Sequence, residues 1–273
     1  MDLITTVAAF RAALEGERAA GRSVGLVPTM GALHDGHLSL MRRAKRQCDV
    51  VAATVFVNPL QFGPKEDLDA YPRDLEGDAA KAKAARVKYV FAPSPAEMFP
   101  TPPLTTVHVA ELGDEREGAS RPGHFDGVAT IVAKLFAVAG PCRAYFGEKD
   151  YQQLEVVRRL AADLSLPVEV VACPTVREPD GLALSSRNAY LSPDERAAAT
   201  VLYRALQEGK KVVERQGDLA IASAVMATTI AHEPLATFDY ADAVPEGVFR
   251  VRLFVAARIG STRLIDNMEA TLP

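Results

Sequence analysis

Short apolar runs at residues 24–27, 50–57, 89–92, 143–146 and 168–173 are separated by segments of helical periodicity. No other feature of the sequence limits the fold as strongly. Runs this short and apolar suit strands buried on both faces, and parallel strands need long crossover connections, which the intervening segments can supply. Val128, Ile131, Val132, Leu135 and Phe136 make one apolar stripe, and Leu154, Val157, Leu160, Ala161 and Leu164 make another, each spaced as on a helix that covers a sheet. Crossovers of a single hand then predict a doubly wound, Rossmann-like α/β sheet. Its ligands belong beyond the carboxyl ends of the strands.

The pattern changes after residue 176. "SPDE" at 192–195 reads as a helix start, with Ser192 as N-cap, Pro193 at the first helical position and Glu195 closing a capping box. That helix is expected to continue through Val201, Leu202, Ala205, Leu206, Val212 and Val213, with a second over 219–231. "FDYADAV" and "VRLFVAARIGSTRLIDN" then predict a small sheet turning at Gly260 and Ser261. The expected domains are 1–176, Rossmann-like, and 177–273, a smaller C-terminal α+β domain. The first 21 residues read as an amphipathic helix, and the Pro-rich stretch 91–103 as a surface loop.

With 48% hydrophobic residues in 273, the chain can bury a substantial core. Thirty-one basic residues against 35 acidic ones, with no basic stripe, argue against nucleic acid as the main partner. Cys48, Cys142 and Cys173 are far apart and odd in number, which disfavours a disulfide framework or a cysteine zinc site and suits a reducing cytoplasm. No apolar stretch is long enough to span a membrane, and the early acid in the N-terminal segment does not fit a signal peptide.

The chemistry concentrates in three stretches. In "PTMGALHDGHLSL", residues 28–40, Gly36 lets backbone approach a ligand, and His37 is expected to open a helix whose N-terminal amides favour an anion. A phosphate site, a metal site and a plain surface loop all remain open here. The metal reading lacks partners, because His108, His124 and His232 offer no helical pairing and HDGH is not the HExxH spacing. In "FGEKDYQQL", residues 146–154, Lys149 suits phosphate, Asp150 suits ribose hydroxyls, and Gln153 lies a turn beyond; a charged helix cap is the alternative. In "LALSSRNAYLS", residues 182–192, Ser185, Ser186 and Arg187 supply donors for a triphosphate, although the same residues make ordinary loops. Asn58 and Gln61 follow the second strand, placed for a small polar ligand, and Arg121 is expected in a flexible loop.

Taken together, "PTMGALHDGH", "FVNPLQF", "FGEKDYQQL" and "LSSRN", in this order, resemble the pantothenate synthetase family, ligases that join pantoate to β-alanine. The wider resemblance is to the nucleotidyltransferase superfamily. It implies that pantoate attacks the α-phosphate of ATP to give pantoyl adenylate, that β-alanine then displaces AMP, and that Mg2+ accompanies ATP. It places ATP on Met30, Gly31, Ala32, Leu33, His34, Asp35, Gly36 and His37, on Gly147, Glu148, Lys149 and Asp150, on Val176, and on Leu184, Ser185, Ser186 and Arg187. His34, His37 and Lys149 would be catalytic, with His37 as proton donor. Gln61 and Gln153 would bind pantoate, Gln61 also β-alanine, and Asp78 would be a metal ligand. A C-terminal lid, a homodimer and a cytoplasmic location are further implications. Leu184 departs from the family pattern, which has methionine there; the swap roughly conserves volume. The rival readings are an adenylyltransferase with a more basic acceptor pocket and a nucleotide sensor without turnover.

Overall fold

A computed structural model describes residues 1–64 and 66–273. The chain forms two compact units: Met1–Gly147 with Tyr151–Pro174, and Glu148–Asp150 with Thr175–Pro273. The sequence pattern places its boundary at 176/177; the compact division falls at Pro174/Thr175 and also groups residues 148–150 with the second unit.

The first unit is a parallel sheet of β1 (Asp2–Ile4), β2 (Val24–Val27), β3 (Val50–Thr54), β4 (Tyr89–Phe91), β5 (Cys142–Gly147) and β6 (Val168–Cys173), in the order β1-β4-β3-β2-β5-β6. Its main helices are α1 (Val7–Ala19), α2 (Asp35–Gln47), α3 (Leu75–Ala84), α6 (His124–Ala139) and α7 (Tyr151–Asp163), with the single turns α4 (Pro95–Met98) and α5 (Glu117–Ser120) between α3 and α6. Alternation along the strands sends residues to opposite faces. Leu26, Ala52, Phe91 and Ala144 pack with Phe10, Leu14, Leu135 and Leu154 from α1, α6 and α7. Val27, Val51, Ala53 and Val90 pack with Met41, Ala44 and Ala82 from α2 and α3. The doubly wound expectation therefore holds.

Several local expectations need correction. Asp2–Ile4 is a strand, parallel to β4, and the helix starts only after Thr6, whose hydroxyl accepts the Ala9 amide. β3 stops at Thr54, because Val55 and Phe56 donate to Phe91 and Thr29 and the chain then turns at Asn58-Pro59. The Pro-rich stretch contains α4, capped by Ser94, and buries Met98 completely. Leu164 lies past the end of α7 and is half exposed.

The second unit holds α8 (Pro193–Ala198), α9 (Val201–Gln216), α10 (Leu219–Ala231) and an antiparallel sheet of β7 (Ala236–Glu246), β8 (Arg250–Ile259) and β9 (Thr262–Thr271). The Ser192–Glu195 capping box and the turn at Gly260 and Ser261 are as expected. The single long helix is instead two, broken at Ala199–Thr200, where the Thr200 hydroxyl donates back to the Ala197 carbonyl. Leu202, Leu206, Met226 and Ile230 close this unit's core against Val251, Leu253, Val255 and Ala257.

Glu17 on α1 is almost fully buried, and its carboxylate accepts from Lys88, the Tyr89 hydroxyl and Arg22. The bonds from Lys88 and Tyr89 outweigh desolvation and hold its pKa at about 2, below its ordinary 4.5. A depressed carboxylate stabilises the fold fully above its unfolded value and loses that contribution as pH falls toward the folded one. Glu17→Gln should therefore lower the urea midpoint at pH 6, and the gap to the parent should close between about pH 4.5 and 2. A gap that stays constant across that window would contradict this account.

Candidate functional site

Strand order reverses between β2 and β5, and in such sheets ligands sit at the carboxyl ends on either side of the reversal. The segment that leaves β2 carries residues 28–37. Its course is set by buried polar contacts: the Thr29 amide donates to Thr54 Oγ1, and the Thr29 hydroxyl donates to the Thr54 carbonyl and accepts the Gly31 amide. Gly31 takes a φ of 92°, and a Cβ there would lie 2.9 Å from Asp78 Oδ2. Only glycine fits both demands.

Asp78 is buried in the first turn of α3 and accepts the amides of Ala32 at 2.8 Å and Leu33 at 2.7 Å, one on each carboxylate oxygen. Lys81, one turn on, donates to the Leu33 carbonyl at 2.8 Å. The residue expected as a metal ligand thus anchors backbone. Among the described residues, no group of three or more His, Cys, Asp or Glu is arranged to hold a metal ion.

α2 begins at Asp35, so His37 is the third residue of its first turn instead of opening it. His34 is the N-cap. Its Nδ1 accepts the Gly36 amide at 3.2 Å, and His37 Nδ1 accepts the His34 amide at 3.4 Å, a reciprocal cap made by two imidazoles whose ring centroids are 4.1 Å apart. An accepting ring nitrogen carries no proton, so each neutral ring keeps its proton on Nε2. Both histidines are therefore set as Nε2–H donors at the positive end of a helix dipole. A metal bound through Nε2 would require the proton on Nδ1, where it would oppose the amide now accepted. The geometry favours an anion.

Gln61, itself buried, ends the 3-10 turn Pro59–Gln61, which Asn58 caps. Asn58 Nδ2 donates to Gln61 Oε1 at 3.1 Å and to the Gly127 carbonyl at 3.0 Å, which directs Gln61 Nε2 toward Met30 Sδ, 3.0 Å away. Gly127 is required because any side chain there would collide with the Leu60 carbonyl. His124 Nδ1 donates to the Gln61 carbonyl at 2.8 Å, while Arg121 donates to His124 Nε2 at 3.1 Å. Burial, followed by the Arg121 charge, pushes the His124 pKa down to about 4, which keeps the ring neutral in that role. Arg121, expected in a flexible loop, is instead pinned between α5 and α6 by two bonds to Glu66, at 2.6 and 2.7 Å. Sequence reasoning missed Glu66 and the part played by His124, since their partners lie 55 and 63 residues away.

The adjacent glutamines of α7 divide. Gln152 is buried and donates to the carbonyls of Leu112 and Glu115, while Gln153 is only partly buried. In the second unit, Lys149 and Asp150 lie in the 3-10 turn Glu148–Asp150, with Lys149 Nζ 3.4 Å from Asp150 Oδ1. The Leu184 amide donates to the Val176 carbonyl, closing a hairpin that leads directly into Ser185, Ser186 and Arg187. Ser185 caps the 3-10 turn Ser186–Tyr190 by accepting the Arg187 amide at 3.3 Å.

Comparison with known proteins agrees on one family. Residues 2–269 match the family model of pantoate-beta-alanine ligases. A pantothenate synthetase of Roseiflexus sp. (strain RS-1) is 54% identical over 281 residues, covering 98% of each chain. The crystal structure of pantothenate synthetase from Thermus thermophilus superposes with a TM-score of 0.94 at 51% identity, over 100% of both chains. A pantoate-beta-alanine ligase from Francisella tularensis, solved with beta-gamma ATP and beta-alanine, is 34% identical, with a TM-score of 0.85 over 98% of this chain and 97% of that one.

The two amides held by Asp78 give a direct test of its anchoring role. Asp78→Asn replaces one acceptor with a donor that faces an amide, and should cost about 1–3 kcal/mol in urea unfolding. Unchanged stability would show that the loop does not depend on this carboxylate.

Proposed function

The chain belongs to the pantoate–β-alanine ligase family, and from that premise we propose how its own residues carry the reaction. It is an ATP-dependent ligase that condenses pantoate with β-alanine to pantothenate. The pantoate carboxylate attacks the α-phosphorus of ATP, the bond to pyrophosphate breaks, and the resulting pantoyl adenylate is opened by the β-alanine amine with AMP as leaving group. A carboxylate is a poor electrophile, and the mixed anhydride makes it reactive without a nucleophile from the protein.

The observation that carries the reading is the imidazole capping box. Charge builds on phosphoryl oxygens as the adenylate forms, and His34 and His37 present two pre-oriented Nε2–H donors, supported by the amino end of α2. A neutral ring whose Nδ1 already accepts an amide gives a hydrogen bond, not a whole proton, so His37 acts by stabilising charge. Met30, Gly31, Ala32, Leu33, Asp35 and Gly36 complete the ATP-binding stretch. Lys149 neutralises phosphate, Asp150 accepts from ribose, Gly147 and Glu148 flank them, and Val176 and Leu184 lend backbone to the nucleotide. Ser185, Ser186 and Arg187 close over the phosphates. Gln61 and Gln153 take pantoate, whose hydroxyls and single carboxylate suit neutral amides, and Gln61 also takes β-alanine.

Mg2+ would enter as part of the MgATP substrate and would offset phosphate charge. Both oxygens of Asp78 serve Ala32 and Leu33, so this carboxylate fits a metal poorly. Among the described residues, no helix is long and apolar enough to cross a membrane. We place the enzyme in the cytoplasm as a homodimer whose partners are small molecules.

Purified protein given MgATP, pantoate and β-alanine should form AMP and pantothenate in equal amounts. ATP binding without AMP release would sink the ligase reading. His37→Ala should slow adenylate formation by about 10²–10³ in single-turnover assays, the range for a lost oxyanion donor, while the KM for pantoate moves little. Gln153→Ala should chiefly raise the KM for pantoate, and an unchanged pantoate dependence would reject that assignment.

A further inference from the structure

β9 carries two consecutive buried polar residues, Asp266 and Asn267. Neighbours on a strand point to opposite faces, so this dipeptide anchors something on each side of the sheet. Val255, a core residue, lies opposite Asp266, which puts Asp266 on the helix-covered face. There Asp266 makes a bidentate pair with Arg177, at 2.6 and 2.9 Å. The same guanidinium donates to the Gly181 and Asn267 carbonyls and lies 4.8 Å from the centroid of the Tyr203 ring. Arg177 and Ala183 pair across the hairpin that runs into Ser185, Ser186 and Arg187. The ion pair therefore fixes the base of that loop.

Asn267, on the other face, spends both donors of its amide on the segment between β5 and α7. Its Nδ2 donates to the carbonyls of Glu148 at 2.7 Å and Lys149 at 2.8 Å. Arg252, itself buried, donates to Asn267 Oδ1 at 3.5 Å, which fixes which end of the amide faces those carbonyls. The peptide planes on either side of Lys149 are thereby tied to β9, which accounts for the grouping of residues 148–150 with the second unit.

We propose that Asp266 and Asn267 form a positioning pair for the nucleotide: Asn267 aims Lys149 and Asp150, while Asp266, through Arg177, sets the hairpin that delivers Ser185, Ser186 and Arg187. One dipeptide thus couples two ATP-binding segments that are 35 or more residues apart in the chain. The inference rests on Lys149 being a phosphate ligand, as assigned above. Neither residue touches substrate, so both act through others.

Asn267→Asp tests this directly, because it keeps the side-chain volume and removes both donors. The full-length Asn267→Asp, Asn267→Ala, Lys149→Ala and Asn267→Ala/Lys149→Ala proteins are compared by steady-state kinetics, with MgATP varied and the KM for pantoate read at saturating ATP. Both Asn267 variants should raise the KM for ATP about tenfold or more, as expected for a misplaced binding group, with the KM for pantoate little changed. The double variant should lose less than the two single effects multiplied together. An unchanged KM for ATP in both Asn267 variants, an equal rise for pantoate, or fully multiplicative losses would overturn the proposal. If Lys149→Ala weakens ATP and the Asn267 variants do not, the positioning role alone fails. If Lys149→Ala leaves ATP unaffected, the Lys149 assignment fails and takes the positioning role with it.

Discussion

Asp78 accepts the Ala32 and Leu33 amides from within α3, and that pair of bonds determines how the chain leaves the centre of the sheet. Ala32 is held at a φ of 49°, a conformation that costs an L-residue about 1–2 kcal/mol. Two hydrogen bonds to a buried carboxylate contribute about 1.5–3 kcal/mol each, so the anchor outweighs the strain. With residues 31–33 so fixed, His34 arrives at the N-cap of α2 with extended backbone, as capping requires. Without the anchor, the amides of Ala32 and Leu33 would compete for the acceptors that now shape the turn. The histidine cap depends on a carboxylate more than 40 residues away.

The cap links folding to chemistry. Serine with glutamate makes the commoner reciprocal cap, and this chain uses that pair at Ser192 and Glu195. At α2 the same two backbone amides are satisfied by imidazoles, which retain a second nitrogen that a serine hydroxyl lacks. One nitrogen of each ring completes the helix end, which leaves the proton of the neutral ring on the other. Removing either imidazole leaves an orphan amide and a missing donor together. With the roles proposed for His34 and His37, stability and turnover would change in concert, and separating them depends on reading adenylate formation apart from substrate affinity.

The sheet was legible because strands buried on both faces leave uninterrupted apolar runs. β2, β6 and the stripe on α6 stand where the spacing predicts them. β1 escaped because three residues have no periodicity, and only pairing with β4 makes them a strand. The break at Ala199–Thr200 escaped because the apolar spacing runs through it. The candidate site was read from residue types in order, through the histidine pair, Lys149 with Asp150 and the serine pair before Arg187. The supporting roles around it were not. Asp78, Asn58, Glu66 and Asn267 are ordinary polar residues whose partners lie far away in sequence or on another element, and no local pattern distinguishes a buried acceptor from a solvated one.

The polar doublets show why such supports sit beside ligand candidates. Two adjacent residues diverge by about 100° on a helix and by about 180° on a strand, so they cannot serve the same surface. Gln152 turns inward to hold the Leu112 and Glu115 carbonyls, and by the same geometry Gln153 is turned away from them. Asp266 and Asn267 divide between the two faces of β9 in the same manner. A buried polar side chain persists only where its hydrogen bonds are satisfied, and those bonds rigidify the backbone that it shares with its neighbour. In the role proposed for Gln153 its amide must be held in one place, and a fixed Gln152 supplies that rigidity one residue away. In a doublet of this kind, the inward member does not compete for ligand; it sets the precision with which the outward member can bind one.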